Sequence, residues 1–413
     1  MARATADVVI IGGGIMGMSI AHQVARRSTL DIVVLEKGAG LGEGSTGASS
    51  AITRQRYSRV ENIRLARDAN HVFGNWAEFT ELPSPRAVYH QVGCLWMMSP
   101  DPAVVADDCH RLRAEGVDAV VLDRTELTER FPSLSACMRP LDLSGEMPHE
   151  CSDGDAFLLE QDSGYFDATG ALEDVAEAAR TRSVDVRMGR RVVAVRVHGG
   201  RASGVELDDG SRIDAGLIVN AAGPWCNEVN RMAGLDLSWD LVPTRVQVIY
   251  RDLPVEVPAP IPVVGDATTG IYFRPESGGR QLLLGSVLEV DEQEQVDPDD
   301  YRTSADRSWI DTKIHALHHR IPGLPHRGDV RGLAGVYTVN RQDVHPVIGT
   351  TPLDGFAVAN GFSGHGFKES PMVGSMMAQW ITRERASFDT DVPMSFYAID
   401  RTPIQLEDHN VLA

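Results

Sequence analysis

The chain has 413 residues, 43% hydrophobic and 23% charged, so two to three domains of about 150 residues with ample core are expected. Thirty-nine cationic side chains against 58 carboxylates leave a formal net charge of −19, whose field repels phosphate. That argues against nucleic acid and anionic lipid as partners while leaving room for a local cationic pocket. Only three of the cations are lysines, Lys37, Lys313 and Lys368; the rest are arginines.

The cysteines Cys94, Cys109, Cys137, Cys151 and Cys226 are odd in number and contain no CxxC pair. Neither a disulfide framework nor a structural zinc site is read from them, and a reducing compartment fits that usage. No metal site is expected. No stretch approaches the ~18 to 20 apolar residues of a membrane span. The apolar run 8–11 enters a triple glycine rather than a cleavage site. A cytoplasmic location is therefore expected.

Residues 7–11 form a short continuous apolar run, the pattern of a buried parallel strand. Gly12-Gly13-Gly14-Ile15-Met16-Gly17 follows at once, then a helical stretch to about residue 27 and a second strand over 31–36 ending in Glu36. This is a βαβ unit with GxGxxG at Gly12, Gly14 and Gly17. The first glycine turns the chain, the second admits a pyrophosphate and the third lets helix pack on strand. The anion sits at the helix N-terminus, and Glu36 is placed to accept from a ribose hydroxyl. No second such fingerprint follows a strand, so one dinucleotide is expected.

Residues 170–181 read as an amphipathic helix, and 191–197, 202–207 and 211–214 as short strands, the last two joined by Asp208-Asp209-Gly210. A further strand over 217–223 ends in Ala-Ala-Gly, with Pro224 at a helix start. Strands over 241–250, 270–274 and 281–287 suggest an antiparallel sheet in a second domain. A helix over 304–321 follows, then a strand over 356–361, a glycine-punctuated loop over 362–371 and a helix over 372–382. The fold class expected is α/β (α+β). A discontinuous nucleotide-binding domain is assigned to 1–85, 150–235 and 330–413, and a substrate domain to 86–149 and 236–329.

Four segments in this order resemble the FAD-dependent amine oxidoreductases of the D-amino-acid oxidase superfamily, nearest the sarcosine oxidase and dimethylglycine dehydrogenase branch. They are 12–36, then Glu43-Gly-Ser-Thr-Gly-Ala-Ser-Ser-Ala-Ile-Thr-Arg-Gln-Arg-Tyr57, then Ile218-Val-Asn-Ala-Ala-Gly-Pro-Trp225, and Gly361-Phe-Ser-Gly-His-Gly-Phe-Lys368. The resemblance spans residues 6–382 and implies a glutathione-reductase-like Rossmann domain, with a substrate domain roofing the flavin. It implies oxidation of a C–N bond beside a carboxylate, hydride passing to flavin N5, and hydrolysis of the resulting imine. It also implies cofactor contacts from Gly12, Gly14, Ile15, Met16, Gly17, Glu36 and Lys37. Further contacts are implied from Ser45, Thr46, Ser49, Ser50, Val193, Ala222, Gly223, Trp225 and Gly335, and from Gly361, Gly364, Gly366, Phe367 and Lys368.

By the same resemblance Arg54 and Lys368 form a clamp for the substrate carboxylate, which suits two fixed cations orienting an anion. In a chain that uses Arg almost throughout, a Lys at Lys368 is no default choice, since the two cations are not interchangeable at close quarters. His365 is a third catalytic candidate, His345 a weaker one, and Tyr272 and Arg274 are candidate substrate-shaping residues on a roof strand. The family's cysteine link to FAD is absent, because Gly335 stands at that place. No histidine link occurs in the 42–50 loop, so non-covalent FAD is expected. Leu283 stands where several oxidases carry an oxygen-activating lysine, which leaves O2 and an electron-transfer acceptor equally open.

The leading expectation is oxidation of a secondary or N-methylated amino acid or a cyclic imino acid. A primary-amine specificity and a flavin-binding scaffold without turnover are the alternatives. Partners expected are a small anionic amine and an electron acceptor, with no membrane span; homo-oligomer and heteromeric subunit both stay open.

Overall fold

The computed structural model describes residues 4–406. Its first sheet runs in the order Val347–Thr350, Phe356–Asn360, Arg212–Asn220, Thr5–Ile11, Ile32–Leu35 and Asp185–Arg187. All of these pair in parallel except Val347–Thr350, which is antiparallel to Phe356–Asn360. Side chains of Thr5–Ile11 alternate between two cores. Val8 and Ile10 pack on one side with Val34, while Val9 and Ile11 pack on the other with Val33 and Leu35. Burial on both faces is why these strands read as unbroken apolar runs.

The helix Ile15–Ala25 covers the first face, flanked by Ala168–Thr181 and Gly366–Thr382. Its approach to Gly366–Thr382 is close: a Cβ on Gly374 would lie 2.7 Å from the Ser19 carbonyl oxygen. Gly17 is tighter still, since a Cβ there would fall inside the Gly12 carbonyl oxygen. Helix and strand can meet at this distance only with glycine, the third role read from the fingerprint.

The second sheet runs Val330–Asn340, Leu241–Asp252, Gln281–Ser286, Ile271–Glu276, Val263–Asp266, Cys94–Met97, Phe157–Glu160 and Ala119–Leu122. It is antiparallel except where Val263–Asp266 runs parallel to Cys94–Met97. The helix Arg307–Arg320 packs on it, burying Ala316 and Leu317 against Ile271, Phe273 and Leu284.

Several elements differ from the sequence reading. Arg212–Asn220 is one strand rather than two, because Ala215 and Gly216 continue the pairing with Thr5–Ile11 despite their small side chains. Phe157–Glu160 and Val330–Asn340 belong to the second sheet, whereas the expected boundaries put both in the nucleotide-binding part. The last long helix starts at Gly366 rather than near 372, so Lys368 lies in its first turn and not in a loop. Pro371 lacks an N–H to give the Phe367 carbonyl, and the Ser370 hydroxyl donates to that carbonyl instead at 2.9 Å. The punctuating residues that suggested a loop are accommodated inside a helix. No helix among the described residues is long and apolar enough to cross a membrane.

Candidate active site

A cavity of about 500 Å³ opens outside the carboxyl ends of the parallel strands, where Ile11, Leu35, Ala221 and Gly361 line it. Open parallel sheets bind ligands in this crevice. Its opposite wall is the second sheet, through Val246, Gln247, Val248, Tyr272 and Tyr337.

The nucleotide end is built by the βαβ turn. Gly12 has φ +114°, and a Cβ there would strike the Ala221 carbonyl, so the two strand ends close on each other only with glycine. Gly14, Ile15 and Met16 face the cavity at the helix N-terminus, where Gly14 provides no side-chain cap. Amides of such an uncapped first turn suit an anion. One of them is already used: the Ile15 N–H donates to the Thr46 hydroxyl at 3.1 Å, tying the 42–50 loop to the helix. Glu36 faces the cavity while accepting from the N–H groups of Gly13 at 2.9 Å and Gly38 at 2.7 Å. These bonds fix the carboxylate at the end of its strand. Lys37 stands 3.6 Å above the Trp225 ring and pairs with Asp299 at 2.5 Å, and all three line the cavity.

Ser45, Ser49, Ser50, Ala222, Gly223, Gly335, Gly364, Gly366 and Phe367 also reach the cavity wall. Gly17 does not; it supports the turn from behind. Val193 does not either: strand alternation turns Val193 to solvent and Val192 inward. A Cβ on Gly335 would lie 2.7 Å from that of Ala48, so this position has no space for a longer side chain without displacing the loop. The glycine cradle, the uncapped helix end and the placed carboxylate together fit a dinucleotide.

Arg54 and Lys368 meet in the same cavity, both buried. Arg54 follows the short strand Ile52–Thr53, and the buried Glu160 anchors the chain just beyond it. That carboxylate accepts from the Gln55 and Arg56 N–H groups and the Trp96 indole, each at 2.7 Å. The Arg54 guanidinium stands 4.1 Å above the Tyr57 ring and donates to the Arg56 carbonyl. Lys368 approaches the Gly364 carbonyl at 3.5 Å. Burial, and then the Arg54 charge, push the Lys368 ammonium down to about 7. Burial pushes the neighbouring Glu369 carboxyl up, with Lys368 and Arg54 opposing. Neither Glu369 oxygen accepts a hydrogen bond from the described residues.

Tyr272 lies in the cavity wall, but three other candidates do not. Arg274 on the same strand donates to the Ser50 carbonyl at 2.6 Å and pairs with Glu276 at 2.7 Å, so it ties the roof strand to the 42–50 loop. His365 is buried behind the wall with its ring edge-on to Tyr57 at 5.5 Å. His345 is also buried, bonded to Asn62 at 3.1 Å and to the Asp343 carbonyl at 2.6 Å. Leu283 is buried within the sheet rather than exposed to the cavity.

Sequence reading missed Glu160, Glu369 and the Tyr337–Glu292 pair. The Tyr337 hydroxyl donates to Glu292 at 2.8 Å on the cavity wall, and burial pushes that carboxyl up to about 7. Adjacency to Lys368 was the one signal available for Glu369; the others depend on side-chain contacts between segments distant in sequence.

A parallel-sheet dinucleotide cradle, roofed by a second sheet and holding two buried cations, is the architecture of a dinucleotide-binding protein with a site for a small anion. The chain belongs to the DAO family of FAD-dependent oxidoreductases, whose model matches residues 7–380. FAD is therefore its cofactor. The chain is 26% identical to FAD-dependent oxidoreductase domain-containing protein 1 of Xenopus laevis, over 91% of its own length and 79% of that protein. It is 26% identical to human mitochondrial dimethylglycine dehydrogenase, over 93% of the chain but only 43% of that longer protein. In structure it is similar to L-proline dehydrogenase from P. horikoshii, with a TM-score of 0.81, 25% identity, and coverage of 96% and 97% of the two chains.

Proposed function

We propose that the enzyme oxidises the C–N bond of a small amine that carries a carboxylate: a secondary or N-methylated amino acid, or a cyclic imino acid. The observation that carries this reading is the pair of buried cations, Arg54 and Lys368, on one cavity wall. Two positive charges held out of water need an anion of matching size, and a substrate carboxylate supplies it. Held at that end, the substrate keeps its α-C–H in a fixed orientation toward the cofactor. When bound, FAD supplies the two-electron acceptor. The imine formed then takes up water to give a carbonyl group and an amine, which separate for an open-chain substrate and stay on one molecule for a cyclic one. The names of the relatives, dimethylglycine and L-proline dehydrogenases, favour secondary and tertiary amines over primary ones.

FAD is held without a covalent bond in this reading, supported by the crowded Gly335 position. Among the cavity-lining residues of the roof strands there is no lysine or arginine to stabilise reduced oxygen species, which favours an acceptor other than O2.

The deciding experiment is anaerobic addition of N-alkyl amino acids, imino acids and primary amino acids to the holoenzyme, following loss of oxidised-flavin absorbance. Secondary and cyclic substrates are expected to bleach the flavin fastest, and mixing with air-saturated buffer is expected to restore it slowly. No bleaching by any carboxylate-bearing amine would leave the scaffold reading in its place.

A further inference from the structure

Away from the flavin cavity, four side chains converge although the sequence offers no zinc-binding spacing. The ligand atoms of Cys137, His149, Cys151 and His319 all lie within 4.8 Å of one another. The Cys137 sulfur and His149 Nε2 are 3.3 Å apart, and the His149 and His319 rings meet edge-on at 4.4 Å. Four ligands around a tetrahedral zinc with bonds near 2.3 Å stand about 3.8 Å from one another, so the cluster closes on a metal with small side-chain movements.

Backbone pairing already holds the ligands in place. Cys137 bridges antiparallel to Asp153, and the Met138 N–H donates to the Ser152 carbonyl at 2.8 Å, which brings Cys151 back beside Cys137. His319 arrives from the helix Arg307–Arg320, which is tied to the same loop by the Ser135 N–H donating to the Arg320 carbonyl at 2.9 Å. A second observation points to a ligand: His319 Nε2 is buried and makes no hydrogen bond. A buried imidazole nitrogen without a hydrogen-bond partner, on a ring that shares a cluster with two thiols and a second imidazole, is satisfied by coordination.

We propose that Cys137, His149, Cys151 and His319 form a structural zinc site that clips the 137–151 loop to the helix under the roof sheet. Mixed thiolate and imidazole ligands in a tetrahedral set select zinc, and four protein ligands leave no open position for catalysis. Binding releases the two thiol protons to solvent, so Zn²⁺ and two thiolates sum to a neutral centre beside the buried Arg320. The exposed Cys151 gives the metal its way in.

The clip reaches the active site through one residue. Arg320 follows His319, pairs with the buried Asp266 at 2.8 Å, and donates to the Thr268 hydroxyl at 3.0 Å. Asp266 ends the strand whose Val263, Val264 and Gly265 line the cavity. Losing the metal would therefore loosen the roof rather than remove a reacting group.

The test uses FAD-loaded protein purified under reductant and dialysed against ZnCl2 or CoCl2. One zinc per chain is expected by elemental analysis. Cobalt is expected to give tetrahedral d–d bands at wavelengths longer than flavin absorbs. Cys151→Ser changes an exposed position and His319→Ala a partly exposed one; both are expected to retain FAD and lose stoichiometric metal. Chelation is expected to lower the thermal midpoint of the wild type and leave both variants unmoved. Three results would overturn the proposal: zinc retained in both variants, stoichiometric iron or copper in place of zinc, or a Cys137–Cys151 disulfide that survives reductant.

Discussion

Lys368 and Arg54 bring two positive charges into one buried pocket, and both burial and the guanidinium act to strip the ammonium of its proton. With Glu369 beside them, the group keeps a net positive charge, and an arriving carboxylate favours its more protonated state. The sign follows: the lysine pKa is depressed in the free enzyme and rises when an anion binds, so binding takes up a proton around pH 7. Affinity for a carboxylate then falls as pH rises through that window. Calorimetry of an amine-free carboxylate in buffers of different ionisation enthalpy is expected to show this uptake, and Lys368→Met to reduce it. Charge-assisted hydrogen bonds are worth about 1.5–3 kcal/mol, so Arg54→Ala and Lys368→Ala should each raise substrate half-saturation by roughly ten- to a hundredfold. Half-saturation is expected to change far more than flavin content in both. Unaltered reduction kinetics in the two variants would sink the clamp.

The elements divide into those whose side-chain pattern is local and those whose meaning depends on a distant partner. The βαβ unit was fully legible, because glycine spacing, strand burial and the terminal Glu36 all lie within thirty residues and serve one turn. Gly17→Ala tests that unit: the added methyl meets the Gly12 carbonyl, backbone that cannot move aside. Such overpacking costs about 3 kcal/mol, expected as a drop in thermal midpoint of several degrees with loss of FAD on gel filtration. Resemblance singled out Arg54 and Lys368, which the structure buries in one cavity, but gave no sign of what supports them. Glu160 anchors Arg54 from a strand about a hundred residues away, and no period in the sequence connects them. The start of the last helix was hidden by Gly364, Gly366 and Pro371, residues that read as a loop until Ser370 is seen replacing the lost donor. Arg274 looked like a pocket residue because its strand roofs the cavity, yet its guanidinium is turned to the Ser50 carbonyl.

Across the whole molecule, a net charge of −19 surrounds a cavity lined by the buried cations Arg54 and Lys368. In the proposed reading these local cations do the recognition, since the long-range field opposes an anion and is screened within about 8–10 Å at ordinary salt. The residues that line the proposed dinucleotide site come from both halves of the fold, and FAD held there without a covalent bond is released when the chain unfolds. Acid precipitation of the holoenzyme is expected to leave the yellow colour in the supernatant; a yellow pellet would show a covalent bond instead.

The scarcity of lysine has a practical consequence. Lys37 and Lys368 line the cavity, and Lys313 holds Asp291 of the same wall at 2.7 Å. Every side-chain amine of the chain thus stands at the cavity or one contact behind it. Reductive methylation with ¹³C-formaldehyde would place its side-chain labels only there, turning a compositional bias into a set of NMR reporters on the active site against a silent arginine-covered exterior.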